Sequence, residues 1–148
     1  MATFLLAWNP KRWVWKDLKS MADRVKQGEE VADTWSFAGF TKVKRGDRVF
    51  LIRLVEEPKG MMASGIVTDR AKEGPHWEPA RAKKGDTYHY VEFIYDRLQV
   101  PGRDLIIARD DLRTRPFDKM HWDTQSSGIS IPGDVASALE KEWGELFD

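Results

Sequence analysis

Residues 46–67, GDRVFLIRLVEEPKGMMASGIV, contain the pattern that decides the fold. Positions 47–55 place apolar residues on both faces of a predicted strand, interrupted by Arg53, which is typical of a strand that is covered on both sides. A turn at 57–60 contains proline and glycine, and a second apolar run follows it. We therefore expect two buried strands joined by this turn, with Gly65 marking a bulge or a close backbone approach.

Other periodic segments surround this pair of strands. Alternating or short apolar runs predict further strands at 3–7, 87–100, 105–108 and 126–131. Apolar residues spaced three and four apart predict helices at 14–28 and 135–146. Residues 69–86 are polar and predict a long loop, and 29–33 predict a polar connector. Because regular helical crossovers between strands are lacking, the order indicates an α+β fold built on a small mixed barrel.

Length and composition set the class of protein. A chain of 148 residues has the size of one domain, so we expect a single domain over 1–148. It contains no apolar run near the roughly 20 residues of a membrane span and no secretion-signal pattern at its start. Cysteine is absent, which excludes disulfides and fits a cytoplasmic location. The formal net charge is zero, but residues 133–148 hold five acidic residues and one lysine, so the rest of the chain carries +4.

Motifs for catalysis and metal binding are missing from the sequence. His76, His89 and His121 are too far apart in sequence to form a helix-borne metal pair. No phosphate-binding glycine loop and no nucleophile elbow of the G-x-S-x-G type occurs. We therefore expect a binding module, with no catalytic residue, no metal and no cofactor.

Seven tryptophans are the unusual feature of this composition. Several stand beside short polar side chains at the ends of predicted strands, as in Trp8-Asn9 and Trp35-Ser36-Phe37. Flat rings with a few amide and hydroxyl groups are typical of a site that holds one planar ligand. A base taken out of a duplex needs such a site, since stacking supplies affinity and edge hydrogen bonds supply identity.

Five blocks of the sequence resemble a known family. They are FLLAWNPKRWVW at 4–15, WSF at 35–37, the stretch 46–67, HWEPAR at 76–81 and WDTQSSGISIP at 122–132. Together they resemble the EVE-type domain of the PUA-like superfamily, and more narrowly the EVE-like modules of HNH modification-dependent restriction endonucleases. The resemblance implies a small, strongly bent β-barrel with flanking helices. It also implies a pocket for a flipped modified base, here 5-methylcytosine or 5-hydroxymethylcytosine in duplex DNA.

The resemblance and the residue types together give a set of candidate site residues. The expected base-binding residues are Trp8, Asn9, Trp35, Ser36, Phe37, Trp122, Gln125 and Ser127. The expected nucleic-acid contacts are Lys11, Arg12, Lys42, Lys44, Arg45, Arg53, Trp77 and Arg81. In this hypothesis the indoles of Trp8 and Trp35 form an aromatic cage, and Trp77 or Gln125 fills the gap that the base leaves. Arg53 has a second interpretation, in which it pairs with a buried acid.

Three alternatives stay open at this level. Relatives in the superfamily bind modified bases in RNA, so a YTH-like RNA reader is the first. An ASCH-like nucleoside hydrolase is the second, and it would need Lys42 or Lys44 beside Glu92. The third is a protein-interaction barrel in which every tryptophan is core. The chain has no HNH motif, so any cleavage would belong to a fused or associated nuclease. The cage hypothesis requires an empty slot between two roughly parallel indoles.

Overall fold

A computed structural model describes residues 1–147, in which eight strands form one mixed sheet and three α-helices pack around it. The strands are β1 Thr3–Trp8, β2 Ala32–Ser36, β3 Arg48–Arg53, β4 Gly60–Val67, β5 Lys72–Pro75, β6 Thr87–Leu98, β7 Ile107–Ala108 and β8 Ile129–Ser130. The helices are α1 Leu18–Lys26, α2 Pro79–Lys83 and α3 Gly133–Leu146. Two short 3-10 turns, Arg109–Arg113 and Phe117–Lys119, lie between β7 and β8.

Strand β3 is covered on both faces, as its sequence predicts. It pairs in parallel with β1 and antiparallel with β4. Val49 and Leu51 point into one hydrophobic core, while Phe50 and Ile52 point into a second core that α3 covers. Alternate side chains of a strand leave opposite faces of the sheet, so one apolar strand supplies both cores.

Gly65 lies at a bulge, which confirms the expectation for that position. The register of β4 against β6 shifts between Ser64 and Gly65. A Cβ atom at Gly65 would lie 2.6 Å from the carbonyl oxygen of Ile94. The glycine therefore permits the close approach that bends the sheet.

Two predicted segments differ from the structure. The expected loop at 69–86 contains strand β5 and the short helix α2, because β5 pairs with the amino-terminal half of β6. The first helix begins at Leu18 and not at position 14. The amides of Arg12 and Trp13 instead donate to the carbonyl of Asn9 and close a turn. The connector expected at 29–33 is shorter, since β2 begins at Ala32.

The two ends of the sheet meet and close the barrel. The strands lie in the order β2-β6-β4-β3-β1-β8, so β2 and β8 are the two edges. Ala38 N donates to Ser127 O at 2.7 Å, and Gly39 N donates to Gly128 O at 3.0 Å. We call the two segments 36–40 and 126–128 the seam. An α+β architecture with a strongly curled sheet and flanking helices is therefore observed, as expected.

Two glycines make the seam possible. A Cβ atom at Gly39 would lie 2.8 Å from Gly128 O. Gly128 itself has a φ of +84°, and a Cβ atom there would lie 2.6 Å from Cγ and 2.7 Å from Cα of Phe37. Only a residue without a side chain fits either position while the two hydrogen bonds are kept.

The described helices include none with the length and apolar character of a membrane span.

Replacing Gly128 with alanine should destabilise the protein by disrupting the seam. Gly85→Ala is a matched control, since Gly85 has a φ of +87° but no atom near its Cβ position. The control carries only the backbone strain, about 1–2 kcal/mol. Gly128→Ala should cost a further ~1–3 kcal/mol, because the methyl group overlaps Phe37. Urea unfolding of both variants measures the difference, and equal losses would contradict the role given to the seam.

Candidate functional site

An open cleft lies along the seam. Its volume is about 270 Å³, and it is lined by Ser36, Phe37, Ala38, Phe40, His89, Ser126 and Ser127. The segment 36–40 is held at this place by Phe37 N, which donates to the carbonyl of His89 on β6 at 2.9 Å. The cleft is slightly smaller than the roughly 300–1,000 Å³ of sites for drug-sized ligands. Its size suits one heterocycle.

Flat rings form one part of the cleft. The Phe40 ring and the His89 imidazole are 3.6 Å apart between centroids, with 4° between their planes. Phe40 is 40% exposed, whereas Phe37 is buried and packs edge-on against Phe4. The cleft therefore offers aromatic surface that solvent can reach.

Hydroxyl groups form the other part. Ser127 Oγ accepts a hydrogen bond from Ala7 N at 3.1 Å, which leaves its own O–H free to donate. Within residues 1–147, the hydroxyls of Ser36 and Ser126 form no hydrogen bond to protein. Because a hydroxyl both donates and accepts, these three groups can pair with the mixed polar edge of a heterocycle.

The His89 side chain is held from the neighbouring strand. Glu73 on β5 lies opposite His89 in register, and its Oε2 is 3.6 Å from His89 Nε2. Glu73 Oε2 also accepts a hydrogen bond from Thr87 Oγ1 at 3.2 Å. These contacts place the Glu73 carboxylate beside the imidazole at the edge of the cleft.

The structure brings together part of the predicted pocket. Ser36, Phe37 and Ser127, three of the predicted base-binding residues, line the cleft. Gln125 is exposed in the adjoining loop, next to the lining residue Ser126. Ser126 stands beside the predicted Ser127 in the block 122–132. Phe40 and His89 were not predicted as site residues. The sequence signal for Phe40 is only that it follows the WSF block, and His89 has no such signal.

The tryptophans near the seam pack against one another and enclose no slot. The Trp15 ring contacts the rings of Trp8, Trp13 and Trp35, with centroid distances of 5.3, 5.5 and 5.4 Å. Their planes are tilted or perpendicular to that of Trp15, by 34° at the least. The expectation of two parallel indoles with an empty space between them is therefore wrong. We call these four residues the indole cluster.

Hydrogen bonds hold the indole cluster in place. Trp35 Nε1 donates to Ala7 O at 2.9 Å, and Trp8 Nε1 donates to Trp13 O at 3.0 Å. A buried indole N–H needs a hydrogen-bond acceptor. Here each N–H already donates to a backbone carbonyl, so it is not available to a ligand. Trp8 and Trp35 therefore pack in the wall of the barrel. Ser36, the residue after Trp35, lines the cleft.

Beneath the indole cluster lies a polar pair. Tyr95 Oη donates to Asp33 Oδ2 at 2.7 Å. Burial raises the pKa of Tyr95 well above its usual value, and the Asp33 carboxylate raises it further. Burial also raises the pKa of Asp33, although the hydrogen bond from Tyr95 opposes this. The phenol stays protonated at neutral pH and keeps its hydrogen bond.

Two other predicted pocket residues lie outside the cleft. Trp122 is buried in the core under α3, where its Nε1 donates to Phe117 O at 2.8 Å. Asn9 Oδ1 accepts a hydrogen bond from Lys11 N at 3.0 Å within the turn after β1. Both side chains are committed to local structure, and the prediction that they line the pocket is not supported by these positions.

The predicted cationic contacts fall into two groups. Four of them are exposed and form no ion pair within residues 1–147: Lys11, Lys42, Lys44 and Arg45. The other three are paired: Arg12 with Glu78 at 3.0 Å, Arg81 with Asp86 at 3.0 Å, and Arg53 with Glu56 at 3.6 Å. The unpaired group is the one available to phosphates. Three of its four members follow Phe40 in the same loop.

Arg53 and Trp77 take part in cation–π contacts. The guanidinium of Arg53 lies 5.3 Å from the Trp8 ring, so its interpretation as a partner of an acid and a ring is favoured over a phosphate contact. Trp77 is 37% exposed, and the guanidinium of Arg12 lies 5.6 Å from its ring.

Histidine and acidic side chains are dispersed in the described part of the chain. No group of three or more histidine or acidic side chains is placed to hold a metal ion there. Glu92, the acid of the hydrolase alternative, pairs with Lys72 at 3.1 Å and not with Lys42 or Lys44. The arrangement is suited to binding a flat ligand.

Comparisons of the chain with family models and curated sequences find no match, whereas comparison with solved structures finds similar folds. No family model matches the chain, and no curated protein sequence is detectably similar to it. A hypothetical protein from Leishmania major has a TM-score of 0.65 at 15% identity, over 98% of this chain and 96% of that one. The DUF55 domain of human thymocyte nuclear protein 1 has a TM-score of 0.60 at 14% identity, over 98% and 99%.

A third similar structure was solved with a ligand. It is human THYN1 in complex with 5-methylcytosine-containing DNA, with a TM-score of 0.64 at 12% identity, over 96% of this chain and 97% of that one. Identities this low establish the fold alone. The expected α+β fold, a small and strongly bent barrel with flanking helices, is confirmed, and human THYN1 shares it.

Truncating single tryptophans should show that the indole cluster stabilises the fold by packing. Trp15 is buried, so Trp15→Ala should destabilise the protein by about 3–5 kcal/mol. Trp13 is 39% exposed and is the matched control, and Trp13→Ala should cost less than half as much. Chemical denaturation measures both. A loss below ~1 kcal/mol for Trp15→Ala would contradict the packing role.

Proposed function

We propose that this protein binds DNA containing a modified cytosine, 5-methylcytosine or 5-hydroxymethylcytosine, and holds the extruded base in the cleft at the seam. The observation that carries this proposal is the cleft itself. It combines flat aromatic surface with three hydroxyls that can pair with the edge of a ring. The cleft is also open to solvent, so a base extruded from a DNA duplex can enter it.

The energetics of extrusion fit a site of this kind. Taking a base out of a duplex costs a few kcal/mol. Stacking of a base on an aromatic side chain returns about 1–3 kcal/mol. Stacking therefore offsets part of the cost, reduced by any contact between protein rings that the base replaces, and hydrogen bonds from Ser36, Ser126 and Ser127 supply the remainder.

Discrimination between cytosine and its modified forms depends on shape. Burying one added methyl group contributes only ~0.8 kcal/mol. The cleft must therefore fit the modified ring closely, and Ala38 and Phe37 provide the apolar surface against which a methyl group can pack. An added hydroxymethyl group would require a hydrogen bond there.

Binding to the DNA backbone would come from the loop after the cleft. Lys42, Lys44 and Arg45 are exposed and without ion pairs within residues 1–147. Neutralisation of phosphates by such side chains supplies affinity that is independent of sequence and falls with salt. Because these residues follow Phe40 directly, they would contact phosphates close to the extruded base.

The shared fold supports DNA as the partner, since human THYN1 has this fold and was solved with 5-methylcytosine-containing DNA. In the same proposal the chain is a single binding domain over 1–148 that acts in the cytoplasm. It would be the recognition part of a modification-dependent restriction system. An HNH nuclease, fused or associated, would then supply cleavage.

A binding panel tests this function. Wild-type protein should bind a duplex with one 5-methylcytosine or 5-hydroxymethylcytosine more tightly than the matched unmodified duplex at the same salt. Ser36→Ala should weaken binding of the modified duplex by about 3- to 10-fold, the value of one hydrogen bond. Ser130→Ala, an exposed serine on β8, is the control and should have no effect. Fluorescence anisotropy measures all of these affinities.

Two outcomes would overturn the proposal. Equal affinity of the wild type for modified and unmodified duplexes would exclude recognition of modified cytosine. Tighter binding of single-stranded RNA with a modified base, in competition with the duplex, would favour the RNA alternative.

A further inference from the structure

The contact between Phe40 and His89 differs from the other aromatic contacts in the described chain. The planes of these two rings are 4° apart, and their centroids are 3.6 Å apart. The next most parallel pair, His76 with Trp77, is tilted by 28° at 5.5 Å. Face-to-face contact of parallel rings is the way in which a base stacks on a flat side chain.

Phe40 is held by this contact more than by the core. It is 40% exposed, and neither hydrophobic core includes it. It is the last residue of the seam segment 36–40, outside any strand or helix, in a turn that continues with Thr41 and Lys42. Its ring can leave His89 without breaking a hydrogen bond of the seam.

The backbone of His89, in contrast, is held by strand pairing. His89 belongs to the long strand β6, its carbonyl accepts from Phe37 N, and its imidazole lies 3.6 Å from Glu73 Oε2. The imidazole therefore projects from the more firmly held segment, and the phenyl ring projects from a turn.

We infer that the imidazole of His89 is the stacking surface for the ligand ring and that Phe40 occupies the ligand's place when the cleft is empty. The inference rests on the proposed function and adds which ring the base must displace. The incoming base takes the position of the phenyl ring, and Phe40 swings towards solvent.

This arrangement selects among flat ligands. A ligand ring must stack on His89 better than Phe40 does, so stacking alone gives little net gain. A heterocycle gains in addition the hydrogen bonds of Ser36, Ser126 and Ser127, which a phenyl ring cannot make. Ligands without a polar edge therefore fail to displace Phe40.

Removing the Phe40 ring should change the affinity for DNA in a defined direction. Phe40→Ala should tighten binding of a duplex with one 5-methylcytosine by about 2- to 12-fold, which corresponds to the stability of one aromatic pair. His89→Leu removes the flat surface and should weaken the same binding by at least about 5-fold. Leu105→Ala, an exposed residue before β7, is the control and should leave the affinity unchanged. Thermal unfolding of each variant checks that it is folded.

A second measurement does not depend on any variant. NMR spectra of the wild type should show the His89 ring signals shifting when free 5-methylcytidine is added, because the ring current of the ligand replaces that of Phe40. The Phe40 ring signals should move at the same time towards those of a solvent-exposed phenylalanine.

The results separate this inference from the function on which it rests. If the wild type prefers the modified duplex but Phe40→Ala weakens binding or leaves it unchanged, the ring is a wall of the site and the inference is overturned. Unaltered affinity in His89→Leu overturns it as well. If nucleosides shift His89 but the duplexes bind alike, the proposed function alone fails. Absence of any shift and of any preference overturns both.

Discussion

Two backbone hydrogen bonds join the edges of the sheet, and the rest of the site depends on them. Ala38 and Gly39 donate to Ser127 and Gly128, which brings segments almost 90 residues apart in sequence into contact. At this place the two segments approach so closely that a Cβ atom at Gly39 or Gly128 would overlap a neighbouring residue, and the two glycines supply the space. The cleft exists because the barrel closes at this line.

The seam also explains why the cleft contains small polar side chains. Residues on both segments are close to each other, so large side chains would fill the space between Ser36 and Ser127. The aromatic surface comes from Phe40, at the end of the seam segment 36–40, and from His89 on β6. Backbone closure, small hydroxyl residues and two flat rings together give a space suited to one planar ligand.

Much of the fold could be predicted from the sequence, because it depends on local periodicity. The buried strands β3 and β4, the bulge at Gly65 and the closing helix α3 all follow from apolar spacing and turn residues. The site could be predicted only in part. Ser36, Phe37 and Ser127 were identified, but Phe40 and His89 depend on the register of β6 and on closure of the barrel.

The tryptophans show the limit of the same reasoning. Composition suggests rings that are available to a ligand, yet each indole nitrogen of Trp8 and Trp35 bonds to a carbonyl of a neighbouring segment. Pairings such as Arg12 with Glu78 or Lys72 with Glu92 join distant positions, and a single sequence holds no signal for them. Which cations remain free for phosphates is therefore a result of the fold.

Amide chemical shifts on addition of a duplex with one 5-methylcytosine would test most directly whether the seam is the binding site. The largest changes should fall on residues 36–40, 89 and 126–128, with smaller changes along the basic loop 41–45. Largest changes at the β3–β4 turn or along α3, with residues 36–40 and 126–128 unmoved, would contradict the account.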